Sequence, residues 1–166
     1  MDGQLGHPGP LVELLRLGPG DAGELFTLQR ASYISEARLH QDFDLPPLVE
    51  PLEGVQAALI DPACLVWGVR ESGRLLASVR FVIRGEVAEI GRLVVAPDQQ
   101  GRGLGSSLLL AAEDAVPPSV SVFRLFTGSL SVVPLKLYPR LGYRETHRSP
   151  EADHELVHFE KERSPR

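Results

Sequence analysis

The chain is expected to fold as a single α/β domain, and three observations carry that expectation. Apolar and alternating strands follow one another from Cys64 to Ala96, interrupted only by the turn pairs Ser72-Gly73 and Gly85-Glu86. A glycine-rich turn then leads into an apolar helix beginning at Leu104, and a further strand and helix follow from Val120. A length of 166 residues, 43% hydrophobic and 23% charged, suits one core of ordinary globular composition. The domain is expected over residues 11–162, with short tails at 1–10 and 163–166.

The elements follow from local pattern. Leu11 to Leu17 reads as a first strand, closed by Gly18-Pro19-Gly20. Asp21 is placed to cap a helix running to about Tyr33, with Ala22, Leu25, Phe26 and Gln29 at helical spacing. From Ser35 to Pro51 the pattern breaks at Asp44-Leu45-Pro46-Pro47 and Glu50-Pro51, which predicts the most irregular stretch of the molecule. A short helix over Leu52 to Ile60 comes next. Three strands follow, Cys64 to Glu71, Arg74 to Arg84 and Val87 to Ala96. The helix after the glycines places Leu104, Leu108, Ala111, Ala112 and Ala115 on one stripe, and Pro117-Pro118 stops it. Val120 to Thr127 is a strand, and Pro134 to Leu141 a short helix with Gly142 as its C-terminal cap. Pro139 inside that helix should kink it or loosen one backbone bond. Tyr143 to Arg148 and Leu156 to Lys161 form a closing strand pair, joined by the polar Ser149 to His154.

Composition excludes several classes. No apolar stretch approaches the ~18 residues of a membrane span, and Met1 to Pro10 has neither the basic start nor the apolar block of a signal peptide. A cytoplasmic location without membrane contact is therefore expected. A net charge of −5 argues against a nucleic-acid partner. One cysteine, Cys64, makes no internal disulfide and no thiolate metal site, and His147, His154 and His158 lack the spacing of zinc ligands, so no metal is expected. Cys64 and Trp67 read as core residues.

The most informative run is Ile90 to Ser106, where an apolar strand enters three alternating glycines and then a helix. Missing side chains at Gly101, Gly103 and Gly105 let backbone N–H groups face outward at a helix N-terminus, a seat for a phosphorylated ligand. A dinucleotide fingerprint needs its third glycine where Ser106 stands, and a Walker-type loop needs a lysine before Ser106-Ser107, so neither fits. A glycine turn with no ligand is the remaining alternative. What does fit is Gln100-x-x-Gly103-x-Gly105, preceded by Leu93-Val94-Val95-x-Pro97. This closely resembles the acetyl-coenzyme A signature of the GNAT N-acetyltransferase superfamily.

The resemblance is specific in the second half of the chain and rests on element order alone before about Leu75. It implies a GNAT-type fold: a central mixed, mostly antiparallel sheet of six to seven strands, flanked by about four helices, with a splayed strand pair holding the coenzyme. On that basis Leu93, Val94 and Val95 offer backbone groups to the pantetheine arm and thioester, while Gln100, Gly101, Arg102, Gly103, Leu104, Gly105 and Ser106 wrap the pyrophosphate. Arg102 either adds charge to that seat or faces solvent. The run Leu135 to Tyr143 looks like the family's second signature, in which Tyr138 would sit near the coenzyme sulfur and protonate the departing thiolate. The alternative for Tyr138 is a core aromatic with its hydroxyl bonded to backbone. An asparagine common in the family four positions earlier is replaced by Pro134, which removes a side-chain contact to the coenzyme.

Glu89 precedes Gln100 by eleven positions, the placement of the catalytic glutamate in histone-type members. Burial beside Val87 and Leu93 would raise its pKa, as a base requires; the alternatives are a solvated carboxylate, or a partner for Arg92 with water acting as base. Glu36, Asp42, Asp44, Glu50 and Glu53 gather in the irregular first half, where they steer a cationic amine or merely solvate a loop. The resemblance thus implies an acetyl-CoA-dependent N-acetyltransferase acting on a small-molecule or peptide amine, with a homodimer possible as in many relatives. A coenzyme-binding sensor without turnover is the alternative.

Overall fold

The alternation read between Cys64 and Val95 folds as an antiparallel meander at the centre of a seven-stranded sheet. The computed structural model describes residues 12–165. In chain order it contains β1 (Leu15–Arg16), α1 (Ala22–His40), α2 (Pro46–Val49), α3 (Leu52–Ile60), β2 (Cys64–Glu71), β3 (Arg74–Arg84) and β4 (Val87–Val95). There follow α4 (Leu104–Ala115), β5 (Val122–Gly128), α5 (Val132–Arg140), β6 (Arg144–Glu151) and β7 (His154–Glu162). The strand order is β1-β2-β3-β4-β5-β7-β6. Every pairing is antiparallel except β4 with β5. The expected mixed, mostly antiparallel sheet is therefore the one observed, with α2 a fifth, four-residue helix beyond the four expected.

Several boundaries differ from the sequence reading, each for a physical reason. The first strand is only Leu15–Arg16, pairing with Gly68 and Trp67; Leu11, its expected start, lies outside the described residues, as do residues 1–10. Helix α1 runs seven residues past Tyr33, because residues 34–40 contain no proline and bury Ala37 completely; the chain turns only at Gln41, which takes a left-handed φ of 51°. Asp21 does not cap α1. Its carboxylate accepts the Gly18 N–H at 2.9 Å and an Arg70 N–H at 2.7 Å, closing the short 3₁₀ turn before the helix.

On α4, Leu104, Leu108 and Ala112 are buried as expected, but Leu109, Glu113 and Val116 complete the inward face, while Ala115 is exposed. Helix α5 starts at Val132, so Pro134 falls in the first turn, where its missing N–H has no partner to lose. Gly142 follows α5 with φ +94°, a conformation that favours glycine. The closing hairpin is longer than expected and turns at Ala152-Asp153; Pro150 is tolerated because β6 is an edge strand. Arg163, placed by the sequence in a tail, donates its backbone N–H to Ser121 O and its guanidinium to the carbonyls of Pro117 and Val120. No helix among the described residues is long and apolar enough to cross a membrane.

The sheet has a core on each face. Leu108, Leu109 and Ala112 of α4 pack with Val79, Phe81, Phe123, Val157 and Phe159 on one face. Leu25 and Leu28 of α1 and Val55 and Leu59 of α3 pack with Val66, Leu75 and Val94 on the other. Cys64 is buried in this second core with its thiol pushed up, first by desolvation, as expected of a structural residue. One buried charge stands out in the first. Glu113 is paired with Lys161 at 2.6 Å and accepts the Tyr143 hydroxyl at 3.1 Å. Burial outweighs both partners and holds the Glu113 carboxyl above its usual range. Removing only the cation strands the carboxylate, so K161M is expected to lower the unfolding free energy by about 3 kcal/mol in urea titration. Adding E113Q should restore most of that loss.

Candidate active site

The site begins as an irregularity in β4. Gly91 stands opposite Arg80 and Val94 opposite Ser78, so Arg92 and Leu93 together face the single residue Val79. This is a β-bulge, and Arg92 adopts φ 51°, a costly conformation for a side chain larger than glycine. Glu50, at the end of α2, meets that strain from outside. Its carboxylate accepts Arg80 at 3.0 and 3.2 Å, Gln29 Nε2 at 2.8 Å and Arg92 Nε at 3.4 Å. Burial pushes the Glu50 carboxyl up, but these hydrogen bonds and the two arginine charges more than reverse it, leaving its pKa below the usual value. Glu50 is thus a clamp between α1, β3 and the bulge, distinct from the solvating or steering role considered for the acidic residues of this region.

β4 and β5 have already separated before the bulge. They pair only from Val87–Glu89 to Val122–Arg124. Further along, the Val95 carbonyl is reached by the Ser32 hydroxyl at 3.0 Å and Gln100 Nε2 at 3.3 Å. The splay expected from the resemblance opens a cleft of about 710 Å³ between α1, the glycine turn and α5.

The structure brings nearly all the expected coenzyme residues to this cleft. Leu93, Val94, Val95, Gln100, Gly101, Gly103, Leu104, Gly105 and Ser106 line it. Gly101 and Gly103 have φ of +81° and +78°, so glycine is required at both. The first α-helical bond of α4 is Ser107 N–H to Gly103 O at 3.1 Å, and no side chain caps the helix. The N–H groups of Leu104, Gly105 and Ser106 are therefore left without helical partners beside the cleft, with the positive end of the helix dipole behind them. Arg102 is the exception. It is absent from the lining, exposed, and bound to Glu71 at 3.4 Å and to the Gln99 side chain, so its charge is already engaged outside the seat.

Tyr138 also lines the cleft. Its ring packs on Tyr143 and Phe159 with centroids 5.9 and 5.7 Å apart. Its hydroxyl makes no hydrogen bond with any described residue, contrary to the backbone-bonded alternative, and burial raises its pKa well above that of a free phenol. Such a group carries its proton at neutral pH, and burial makes it a weaker acid than a free phenol.

Glu89 lies elsewhere. Strand alternation turns Ala88 and Ile90 into the core and Glu89 outward, so it is exposed and pairs with Arg84 at 3.1 Å rather than with Arg92. It borders a separate hollow with Phe126, His147 and His158. The expected burial beside Val87 and Leu93 is not found. Ser32 and Tyr33 of α1, which the sequence did not single out, face the cleft, and so does Glu36, read from sequence only as one of five steering or loop-solvating carboxylates. Desolvation raises the Tyr33 hydroxyl to about 12. Glu36 joins Ser32 and Tyr33 on that face because α1 continues past Tyr33.

The family model for the acetyltransferase (GNAT) family matches residues 24–143. Among curated proteins the sequence finds no match. Solved structures are similar over nearly the whole chain. A PaiA N-acetyltransferase from Thermoplasma acidophilum in complex with coenzyme A has TM-score 0.75 and 19% identity, covering 92% of this chain and 99% of that one. The ribosomal-protein-S18-alanine N-acetyltransferase from Escherichia coli has TM-score 0.75 and 16% identity over 90% and 92% of the two chains. The spermidine/spermine N-acetyltransferase SpeG from Vibrio cholerae has TM-score 0.70 and 18% identity over 92% of each. At such identities these likenesses speak to the fold.

Two outcomes follow from the geometry. Coenzyme A is expected to raise the melting temperature of the unaltered protein in a thermal-shift assay, and G103V, which places a branched side chain at φ +78°, should abolish that rise. Because the folded-state pKa of Glu50 is depressed, its stabilisation is complete above the unfolded value of ~4.3 and is lost as pH falls through the lower folded value. The stability gap between the unaltered protein and E50Q, followed by urea titration, should therefore be widest near neutral pH and close in acid.

Proposed function

Since the chain belongs to the GNAT acetyltransferase family, we propose that it moves an acetyl group from acetyl-CoA directly to a primary amine. The observation that carries this reading is the row of unpartnered N–H groups at the start of α4, continuous with the stretch of β4 that β5 leaves unpaired. A diphosphate on Leu104 to Ser106 directs the pantetheine arm along Leu93 to Val95, where strand-like hydrogen bonds fix the thioester. Two of the similar structures are named as N-acetyltransferases of spermidine/spermine and of a ribosomal-protein alanine, both amines.

The chemistry then needs few groups. An alkylamine of pKa ~10.4 must shed a proton before it attacks. With Glu89 outside the cleft, we assign that proton to water at the cleft mouth. The neutral amine nitrogen bonds to the thioester carbon and gives up a second proton to the same water, the C–S bond breaks, and the Tyr138 hydroxyl gives its proton to the departing sulfur, leaving an amide and the free thiol. Tyr138 regains a proton from solvent. A cytoplasmic setting accords with Cys64 being a lone, buried thiol. The free hydroxyl of Tyr138 in the cleft favours turnover over a sensor role.

Release of free thiol from acetyl-CoA in the presence of a primary-amine panel tests the proposal. Tight coenzyme binding with no thiol released by any amine would favour the sensor. Y138F should lower kcat about 10- to 100-fold while leaving the affinity for coenzyme A unchanged in titration calorimetry.

A further inference from the structure

Among the described residues, Glu36 is the one charged side chain on the walls of the cleft; the rest are apolar, hydroxyl, amide or glycine. It is held through a single oxygen. The Ser131 hydroxyl, on the segment leading into α5, donates to Oε2 at 2.6 Å, and His40 Nδ1, one turn along α1, lies 3.5 Å from the same atom. His40 is itself fixed. Its side chain is 4% exposed, its Nδ1 sits 3.0 Å from the Glu36 carbonyl, and a Cβ at Gly128 would overlap its ring. Oε1 of Glu36 has no hydrogen-bond partner among the described residues, and the side chain remains 30% exposed. A carboxylate pinned by one oxygen, with the other free in an otherwise uncharged cleft, is built to receive a cation.

The cation it receives is not the reacting amine. A carboxylate beside an amine favours the ammonium form, and the ammonium has no lone pair with which to attack. The charge of Glu36 helps only if it grips a different nitrogen. We propose that Glu36 binds a second, non-reacting ammonium of the acceptor, so that diamines and longer polyamines are preferred over monoamines. This rests on the transfer reading above, and it assigns the acceptor end of the cleft to α1 and the Ser131 segment.

The test compares 1,4-diaminobutane with 1-aminobutane on the unaltered protein, E36Q and E36D. The ratio of kcat/KM for diamine over monoamine should favour the diamine, fall about 10- to 100-fold in E36Q, and recover in part in E36D, which keeps the charge. An E36Q ratio within about twofold of the unaltered one overturns the proposal, as does an unaltered protein that prefers the monoamine. Titration calorimetry of 1,4-diaminobutane into the protein saturated with coenzyme A separates this inference from the transfer reading. Diamine binding that depends on Glu36, without turnover of any amine, sustains the cation site and removes the transferase. Turnover with diamine affinity indifferent to E36Q does the reverse.

Discussion

The cleft depends on one local defect, the bulge at Arg92-Leu93, and on the carboxylate that makes it tolerable. β4 stays paired with β3 as far as Val95 but has no β5 partner beyond Glu89, so its main-chain groups on that side are left for a ligand. The bulge redirects the strand, at the expense of a left-handed arginine. Glu50 offsets that strain by drawing Arg92 into a network with Arg80 and Gln29, and it does so from a segment outside the sheet. The same carboxylate therefore shapes the strand and docks α1 and α2 against it. Helix α1 in turn places Ser32, Tyr33 and Glu36 on the cleft wall.

Charge is distributed around the cleft in a particular way. The seat at the start of α4 is made of main-chain dipoles, and the nearest arginine, Arg102, is spent on Glu71. An anion at this seat would rest on a geometry that strongly favours glycine at positions 101 and 103 and would be insensitive to side-chain ionisation. Across the cleft the only formal charge on the described walls is negative. The two ends are therefore complementary to a ligand pair of opposite sign.

Where the sequence spoke through period and punctuation it was legible. Strands β2 and β3 and helix α3 fall within the bounds read from alternation, turn glycines and prolines. The glycine turn and its lining were legible too, because φ values near +80° leave a direct trace in residue choice. Three things were not. The length of α1 was hidden by the prolines at 46, 47 and 51, which made the preceding helix-competent residues look irregular as well. The exposure of Glu89 follows from alternation with the buried Ala88 and Ile90, a phase masked in the sequence by the apolar Val87 on its own side of the strand. The roles of Glu50 and Glu36 come from partners 21 to 95 residues away in the chain, and no local pattern encodes such distances.

The sheet is joined across its middle by very little. Strands β1 to β4 form one sheet half and β5 to β7 the other, and main-chain pairing between them spans only Val87 to Glu89. Beyond that hinge the halves are held by the core beneath α4 and by contacts of α1 with the Ser131 segment and His154. A guest that threads amide groups into the opening would act as a borrowed strand, restoring rungs the polypeptide omits. The protein would then be stiffest when loaded, and the release of the spent guest would be an unzipping of the sheet itself.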